Sequence, residues 1–268
     1  MSLSHASFDI DKHLRILDST GVINSELEGF GAQSQTKFHL TFDVDWAPDF
    51  AIDKILVMLR AKKTKATFFI THPSDIVQDI LSDGHEVGLH PNFLPSSSQG
   101  QTVEAVMDYL LNVYPEATSI RTHSLFQSTP LLHRVFSTYT QLKIDLSLLT
   151  YRLPSIARSQ WNFEDLSFSR INYNWEDDLA FYDNEFAWDR VEFFSNSIIF
   201  DFHPIHIALN SRDNSSYMKL KQDLAGEPLF SISKNRLLEF RNESKGASDY
   251  LQSILDSTGQ AVSLKELT

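Results

Sequence analysis

The feature that most constrains the fold is an alternation of short apolar segments, typical of strands, with amphipathic segments, typical of helices. Three helices are predicted, at residues 49–61, 102–114 and 130–139. Because consecutive parallel strands need a crossover connection, this alternation indicates a parallel sheet. The predicted strands are residues 38–43, 66–71, 86–90, 119–122, 142–146, 168–173 and 197–203.

A barrel is favoured over an open nucleotide-binding sheet, because no predicted strand is followed by a glycine-rich phosphate loop. The predicted fold class is α/β, a distorted (β/α) barrel of about seven strands. No linker is visible, so residues 1–268 are interpreted as a single domain. Residues 1–36 are predicted to form a helix and loop extension, and residues 37–268 the barrel. Toward the end of the chain we predict helices within 211–224 and at 235–240 and 247–256, and a short strand at 261–264.

The composition narrows the possible partners and metal ligands. The chain has no cysteine, which excludes disulfides and thiolate metal sites. Its formal net charge of −12 disfavours binding to nucleic acid. Neither a signal-like start nor a long apolar run is present, which predicts a cytoplasmic protein without membrane insertion. The oligomeric state is left open.

Polar side chains follow several of the predicted strands. In a parallel barrel the carboxyl ends of the strands meet on one rim, so these side chains are expected to converge there. Any one of them alone is more simply a cap or a turn residue, but a convergence of acids, imidazoles and a guanidinium needs a metal, a substrate or mutual pairing. The set comprises Asp43, Asp45, His72, His90, Asn92, Arg121, His123 and His203.

The chemistry that uses such a set is metal-assisted hydrolysis of a carbonyl compound. A divalent ion held by carboxylate and imidazole polarises the carbonyl and lowers the pKa of a bound water to about 7. A second carboxylate can accept the proton of that water, and a histidine can donate a proton to the leaving group.

Several short motifs resemble those of the NodB-like polysaccharide deacetylases, carbohydrate esterase family 4, whose fold is a distorted (β/α) barrel. The resemblance spans about residues 37–206. Its motifs occur in the family's order: Thr-Phe-Asp-Val-Asp at 41–45, Ala-Thr-Phe-Phe at 66–69, the approach to His90 at 84–90, Arg121, and Phe-Asp-Phe-His at 200–203. Three short segments resemble sequences of the WbmS-like branch, which is associated with O-antigen loci: His-Pro-Asn-Phe, Arg-x-His-Ser-Leu and Phe-His-Pro-Ile-His.

The resemblance implies a role for each matched residue. Asp43 corresponds to the catalytic base, and Asp45 and His90 correspond to metal ligands. Arg121 corresponds to the arginine that holds the catalytic aspartate, and His203 to the general acid. The implied cofactor is a divalent metal ion, with zinc as the first candidate.

The motifs also depart from the family pattern. Val44 separates two aspartates that are adjacent in the family, so the assignment of base and ligand between Asp43 and Asp45 is open. Leu94 occupies the position of the family's second metal histidine. His123 is the preferred replacement, with Asn92 and His72 as alternatives.

Four further residues are predicted to bind substrate. Trp175 and Glu176 follow a predicted strand, and a tryptophan beside carboxylates is typical of a sugar-stacking wall, although a buried ring is the more common case. Asn92 and His206 complete this group, and His206 could instead orient His203.

The predicted function is the removal of an N-acyl group, most simply N-acetyl, from an amino sugar or polysaccharide by a metal-activated water. The alternatives are hydrolysis of a small non-glycan amide on the same fold and a catalytically inactive sugar-binding module.

Overall fold

One mostly parallel sheet forms the centre of the fold. The computed structural model describes residues 35–164 and 166–267. The helix predicted within the extension of residues 1–36 lies outside the described residues. The strands are β1 Lys37–Asp43, β2 Ala66–Ile70, β3 Glu86–Leu89, β4 Ser119–Ile120, β5 Ile144–Leu149, β6 Arg158–Phe163, β7 Leu166–Tyr173, β8 Trp175–Glu176, β9 Ser197–Phe202 and β10 Gln260–Ala261. Their order in the sheet is β6-β7-β5-β4-β3-β2-β1-β9-β8, with β10 beside β1. Among these described strands only the β6–β7 pair is antiparallel.

Helices connect the strands and cover the sheet. All seven predicted strands are confirmed to within a few residues, as are the predicted helices of residues 35–164 and 166–267. Four helices of seven residues or fewer were missed, because they are too short for a clear helical period: Ile76–Ser82, Asp177–Ala180, Pro204–Leu209 and Leu264–Leu267. Of the short strand predicted at 261–264, only Ala261 lies in a strand. The helices are α1 Asp49–Lys62, α2 Ile76–Ser82, α3 Val103–Val113, α4 Thr129–Thr138, α5 Asp177–Ala180, α6 Pro204–Leu209, α7 Ser215–Leu224, α8 Lys234–Leu238, α9 Ala247–Asp256 and α10 Leu264–Leu267, with 3-10 turns at His123–Leu125 and Leu229–Ser231.

The two edges of the sheet are brought together by one continuous stretch of chain. Strand β7 pairs with β5, whereas β8, which begins two residues after β7 ends, pairs with β9. The residue between them, Asn174, is fully buried and exchanges hydrogen bonds with Ile199 at 3.0 and 3.3 Å. The ladder order is open, but this link curves the sheet into a distorted barrel. The predicted α/β fold class is therefore confirmed, with ten strands in place of about seven.

Side-chain alternation along β1 separates the apolar core from a polar interior. Leu40 and Phe42 pack in the same buried cluster as Ile55 of α1. Because successive residues of a strand point to opposite faces, Thr41 and Asp43 point away from this helix, toward the inside of the barrel. The strand therefore delivers a carboxylate to the end of the barrel while its alternate residues stabilise the fold.

Gly88 of β3 occupies a position where any side chain would clash. A Cβ atom there would lie 2.5 Å from the ring of Phe69 and 2.7 Å from the hydroxyl of Ser119. We expect Gly88→Ala to lower the free energy of unfolding by about 1–3 kcal/mol, the usual cost of overpacking. Urea denaturation measures this change, and a loss below about 0.5 kcal/mol, the scale of surface substitutions, would contradict the predicted clash.

Candidate active site

Three side chains from different strand ends meet at the carboxyl edge of the sheet. The Oδ1 atom of Asp45 lies 2.9 Å from Nδ1 of His123 and 3.1 Å from Nε2 of His90, and these two ring nitrogens are 3.3 Å apart. Asp45 reaches this position because the chain turns sharply after β1, with φ angles of 44° at Asp45 and 56° at Trp46. The turn is fixed by a hydrogen bond from the Trp46 amide to the Thr71 hydroxyl at 3.0 Å.

The geometry and chemistry of this trio fit a divalent cation. Ligands about 2.0–2.1 Å from a tetrahedral ion lie about 3.3 Å from one another, close to the spacing seen here. One carboxylate and two imidazoles are also a donor set that zinc and neighbouring metals accept. Burial alone would raise the pKa of Asp45, but hydrogen bonds from His123 and His90 hold it well below its usual value, so the carboxylate is ionised. The residues present can therefore hold a metal.

Asp43, at the end of β1, lies beside the trio without belonging to it. Its Oδ2 atom is 3.7 Å from Nδ1 of His90, and its Oδ1 atom accepts a hydrogen bond from Arg121 at 3.0 Å. The Arg121 side chain is fully buried, with its guanidinium over the rings of Tyr173 and Phe69 at 4.1 and 4.6 Å. Arg121 therefore keeps a positive charge next to the Asp43 carboxylate.

A second aspartate shares this guanidinium. Asp201 of β9 is fully buried and accepts hydrogen bonds from Arg121 and, at 2.7 Å, from the Thr41 hydroxyl. Arg121 also donates to the carbonyl oxygen of Leu146 at 3.2 Å. The position of Arg121 is thus fixed from three strands, which in turn fixes Asp43.

A histidine held by its own aspartate lies on the opposite side of the site. His203 follows β9, and its Nδ1 atom is 2.7 Å from Oδ1 of the buried Asp177, whose Oδ2 accepts the His203 backbone amide at 2.9 Å. The other ring nitrogen, Nε2, points toward Oδ2 of Asp45 at 3.7 Å. Burial alone would lower the pKa of His203, but the neighbouring carboxylates of Asp178 and Asp177 raise it well above its usual value. The ring is therefore a proton donor directed at the centre of the site.

Two further acids, Glu176 at the end of β8 and Asp178 in α5, lie in the wall of the site beside His203. Glu176 accepts a hydrogen bond from the Tyr173 hydroxyl at 2.6 Å, and burial raises its pKa to about 7. Burial would also raise the pKa of Asp178, but the charge of His203 and a hydrogen bond from His206 lower it to about 2. The two acids therefore differ in protonation near neutral pH, with Glu176 able to donate a hydrogen bond and Asp178 able only to accept.

These groups surround a cavity of about 320 Å³, near the lower end of the usual range for small-ligand pockets. Six of the residues predicted from the sequence line it: Asp43, Asp45, His90, His123, Glu176 and His203. Arg121 lies directly beneath, in contact with Asp43.

Two of the predicted residues lie away from this cavity. His72 borders a different cavity, where its ring stacks on Phe230 at 5.4 Å, so its prediction as an additional metal ligand is wrong. The Asn92 side chain accepts the Leu94 backbone amide at 3.0 Å, which closes the loop after β3. This hydrogen bond gives Asn92 a structural role in the loop, and the structure does not place its side chain in the wall of the cavity.

The other two corrections concern aromatic side chains near β8 and β9. Trp175 is only 1% exposed and packs among the rings of Phe202 and Tyr250, so the predicted sugar-stacking wall is wrong at this residue. His206 is also buried, and its Nε2 and Nδ1 atoms are engaged by Asp178 and Ser211 at 2.9 and 3.0 Å. It therefore cannot contact a substrate directly.

Sequence reasoning missed two residues of this region. Asp177, and not His206, orients the His203 ring. The half-buried Trp46 lines the cavity, with its ring edge-on to His123 at 5.3 Å. The acidic run after β7 was a signal for Asp177, whereas nothing in the sequence shows that the turn after β1 directs Trp46 into the cavity.

The fold and this arrangement of side chains define a class of protein, the polysaccharide deacetylases, which are hydrolases. The model of the WbmS-like polysaccharide deacetylase family matches residues 40–221. Since this match covers more than half of the chain, the chain belongs to that family, and the resemblance found in the motifs is confirmed.

Two solved structures illustrate what the chain is similar to. A crystal structure from Bordetella bronchiseptica, described as a candidate polysaccharide deacetylase involved in O-antigen biosynthesis, is 31% identical, covers 82% of this chain and 89% of its own, and superposes with a TM-score of 0.67. A family 4 acetyl xylan esterase from Clostridium thermocellum in complex with a cobalt ion is 15% identical over 63% of this chain and 74% of its own, with a TM-score of 0.37. No curated protein sequence matches the chain. Within residues 35–164 and 166–267, none of the helices has the length and apolarity needed to cross a bilayer.

Proposed function

We propose that the protein removes an N-acyl group, most simply N-acetyl, from an amino sugar of a polysaccharide. In this reaction water adds to the amide carbonyl, the carbon–nitrogen bond breaks, and a carboxylate and a free amine are released. The observation that carries the proposal is the placement of Asp45, His90 and His123 between Asp43 on one side and His203 on the other. A hydrolytic site needs a cation-binding group, a proton acceptor and a proton donor, and this cavity contains a candidate for each.

Asp45, His90 and His123 would hold a divalent cation, for which zinc is the first candidate. When bound, such a cation polarises the carbonyl group and makes water more acidic. The cavity otherwise contains an excess of carboxylates, from Asp43, Asp45 and Asp178, so positive charge at the trio also stabilises the cavity itself. Family 4 deacetylases generally depend on a metal, which supports this assignment.

Asp43 would act as the general base. It lies at the floor of the cavity, 3.7 Å from His90, with one oxygen directed at Arg121 and the other free to accept a proton from water. The hydrogen bond from Arg121 fixes the orientation of the carboxylate, which a general base requires.

His203 would act as the general acid. Its Nδ1 proton is held by Asp177, so a second proton, on Nε2, points into the cavity toward the position of a leaving nitrogen. The nearby acids keep the imidazole protonated until it transfers this proton.

Asp177 acts through His203 and is a positioning residue. We expect Asp177→Asn to lower kcat by about tenfold to a hundredfold, because a misplaced or less basic imidazole transfers its proton poorly. Loss of the negative charge lowers the pKa of His203, and since activity falls as His203 loses its proton, the alkaline limb of the pH–rate profile should move to lower pH. The exposed Asp189, changed to Asn, is the control and should leave the profile unchanged. A lower kcat with an unmoved alkaline limb would contradict this role.

Metal quantification combined with an acetate-release assay tests the function. The purified protein is assayed against N-acetylated amino sugars and oligosaccharides as isolated, after chelation, and after reloading with zinc or cobalt. We expect about one divalent cation per chain and acetate release that is lost on chelation and restored by the metal. Acetate release that is insensitive to chelation, or a metal-loaded protein that releases acetate from none of the sugars, would contradict the proposal.

A further inference from the structure

A second cavity, of about 260 Å³, adjoins the catalytic cavity. The walls of the two cavities have Asp45, Trp46, Tyr217 and Lys221 in common, so together they form one groove. The groove runs from the cation-binding trio toward Leu229, and each half is near the lower size limit of small-ligand pockets. A substrate that occupies the catalytic half with one sugar therefore has room for a neighbouring unit in the other half.

Lys221 stands where the two cavities meet. Among the residues that the structure describes, it is the only lysine or arginine that lines either cavity, and its Nζ atom lies 5.4 Å from the ring centroid of Tyr217. Within residues 35–164 and 166–267 its ammonium group forms no ion pair, and Glu227, an acid in the wall of the second cavity, is paired with Arg236 at 2.7 Å. The charge of Lys221 is thus available to a ligand.

Trp46 provides a flat apolar surface beside this charge. It is half-buried, lines both cavities, and has a backbone φ angle of 56°, directly after Asp45 at 44°. Left-handed backbone at two successive residues other than glycine costs energy, so it persists where the surrounding contacts impose it. This turn directs the Asp45 carboxylate to the trio and the Trp46 indole to the groove, and an indole beside polar groups is suited to packing against a sugar ring.

From these contacts we infer that the groove is a second subsite, which binds the unit next to the N-acylated sugar, and that this unit carries an anionic group, a carboxylate or a phosphate, bound by Lys221. The inference rests on the proposed function, because it takes the catalytic cavity as the site of the N-acylated sugar. Lys221 stands where the two halves meet and forms no ion pair within the described residues, so its ammonium group can pair with an anionic group on a unit in the second half.

Binding of three probes to the zinc-loaded protein tests the inference. The probes are neutral N,N′-diacetylchitobiose, a disaccharide of glucuronic acid and N-acetylglucosamine, and N-acetylglucosamine 1-phosphate, with affinities measured by ligand-observed NMR at low ionic strength. We expect at least one acidic probe to bind about threefold to tenfold more tightly than the neutral one, with the advantage reduced by salt, as for a partly exposed ion pair. Comparison of the two acidic probes distinguishes carboxylate from phosphate recognition.

Two lysines of the same helix give a matched pair of variants. Lys221→Gln should remove the preference for the acidic probe and leave the affinity for the neutral probe unchanged. Lys219→Gln changes an exposed lysine that lines neither cavity and should behave as wild type. Equal affinities for acidic and neutral probes, or the same response in both variants, would overturn the inference.

The outcome for the subsite can be separated from the outcome for the proposed function. Lys221-dependent binding of an acidic probe without acetate release from any N-acetylated sugar would retain the anionic subsite and reject the deacetylase activity. Acetate release that is equally fast from neutral and acidic probes, with unchanged KM in Lys221→Gln, would retain the activity and reject the subsite. Since Lys221 lines the same cavity as the cation-binding trio, the metal content of each variant is measured before binding is compared.

Discussion

Replacement of Asp43 by asparagine is expected to lower kcat by about a hundredfold to ten-thousandfold, the range lost with a general base, while the bound metal remains at the wild-type level. Asparagine has the same shape and can still accept the hydrogen bond of Arg121, but it cannot take a proton from water. Asp43 is also outside the trio that would hold the cation, so metal affinity should depend on it only weakly. The measurements are kcat for acetate release and metal content after dialysis.

His90→Ala provides the matched comparison. His90 contributes a ring nitrogen to the trio, 3.1 Å from Asp45, so this variant should lose both metal and activity. A retained metal with lost activity in Asp43→Asn, beside a lost metal in His90→Ala, assigns the two roles separately. If Asp43→Asn retained kcat within about threefold of wild type, well under the contribution of a general base, Asp43 would not be the base.

The convergence of the site could be predicted from sequence because it depends on topology. Once strands alternate with helices, the ends of parallel strands fall on one edge, and the polar residues found there must be neighbours. The exact route of the chain could not be predicted in the same way. Asp43 and Asp45 are two residues apart, a spacing that places both on one face of an extended strand, whereas Asp45 in fact reaches the trio through a left-handed turn.

The prediction that both Trp175 and Glu176 line the site conflicts with strand geometry. Adjacent residues of a strand point to opposite faces, so at most one of them can line a cavity inside the barrel. In β8 it is Glu176 that does so, and Trp175 packs into the aromatic core. The sequence shows this alternation, but it does not show which of the two faces is the inner one, because both residues have plausible functions.

The missing metal histidine illustrates a different limit. With Leu94 in the position of the family's second histidine, the sequence allowed His123, Asn92 or His72 as a replacement. Within the described residues only His123 lies with Asp45 and His90. His72 follows β2, which lies between β1 and β3, yet its ring packs on Phe230 in another cavity. The direction of a side chain after a strand end depends on the local turn and on long-range packing, which sequence patterns do not determine.

The largest stability effect is expected at Arg121. We expect Arg121→Met to lower the free energy of unfolding by about 3–5 kcal/mol, the cost of leaving a buried charge without its partner. The side chain is fully buried and is the only lysine or arginine in contact with the carboxylates of Asp43 and Asp201 within residues 35–164 and 166–267. Methionine fills much of the volume between the rings of Phe69 and Tyr173, so most of the loss should come from charge and not from packing.

A double-mutant cycle tests this electrostatic explanation. Asp201→Asn combined with Arg121→Met removes one of the two uncompensated carboxylates and should recover part of the stability lost in Arg121→Met. Urea denaturation of the four proteins gives the coupling free energy, with equal m-values as the control that unfolding exposes the same surface. An unfolding free energy of Arg121→Met within about 1 kcal/mol of wild type, the value of an exposed pair, would show that water reaches these carboxylates. In that case Arg121 would contribute little to the placement of Asp43, and the assignment of Asp43 as an arginine-held base would lose its physical support.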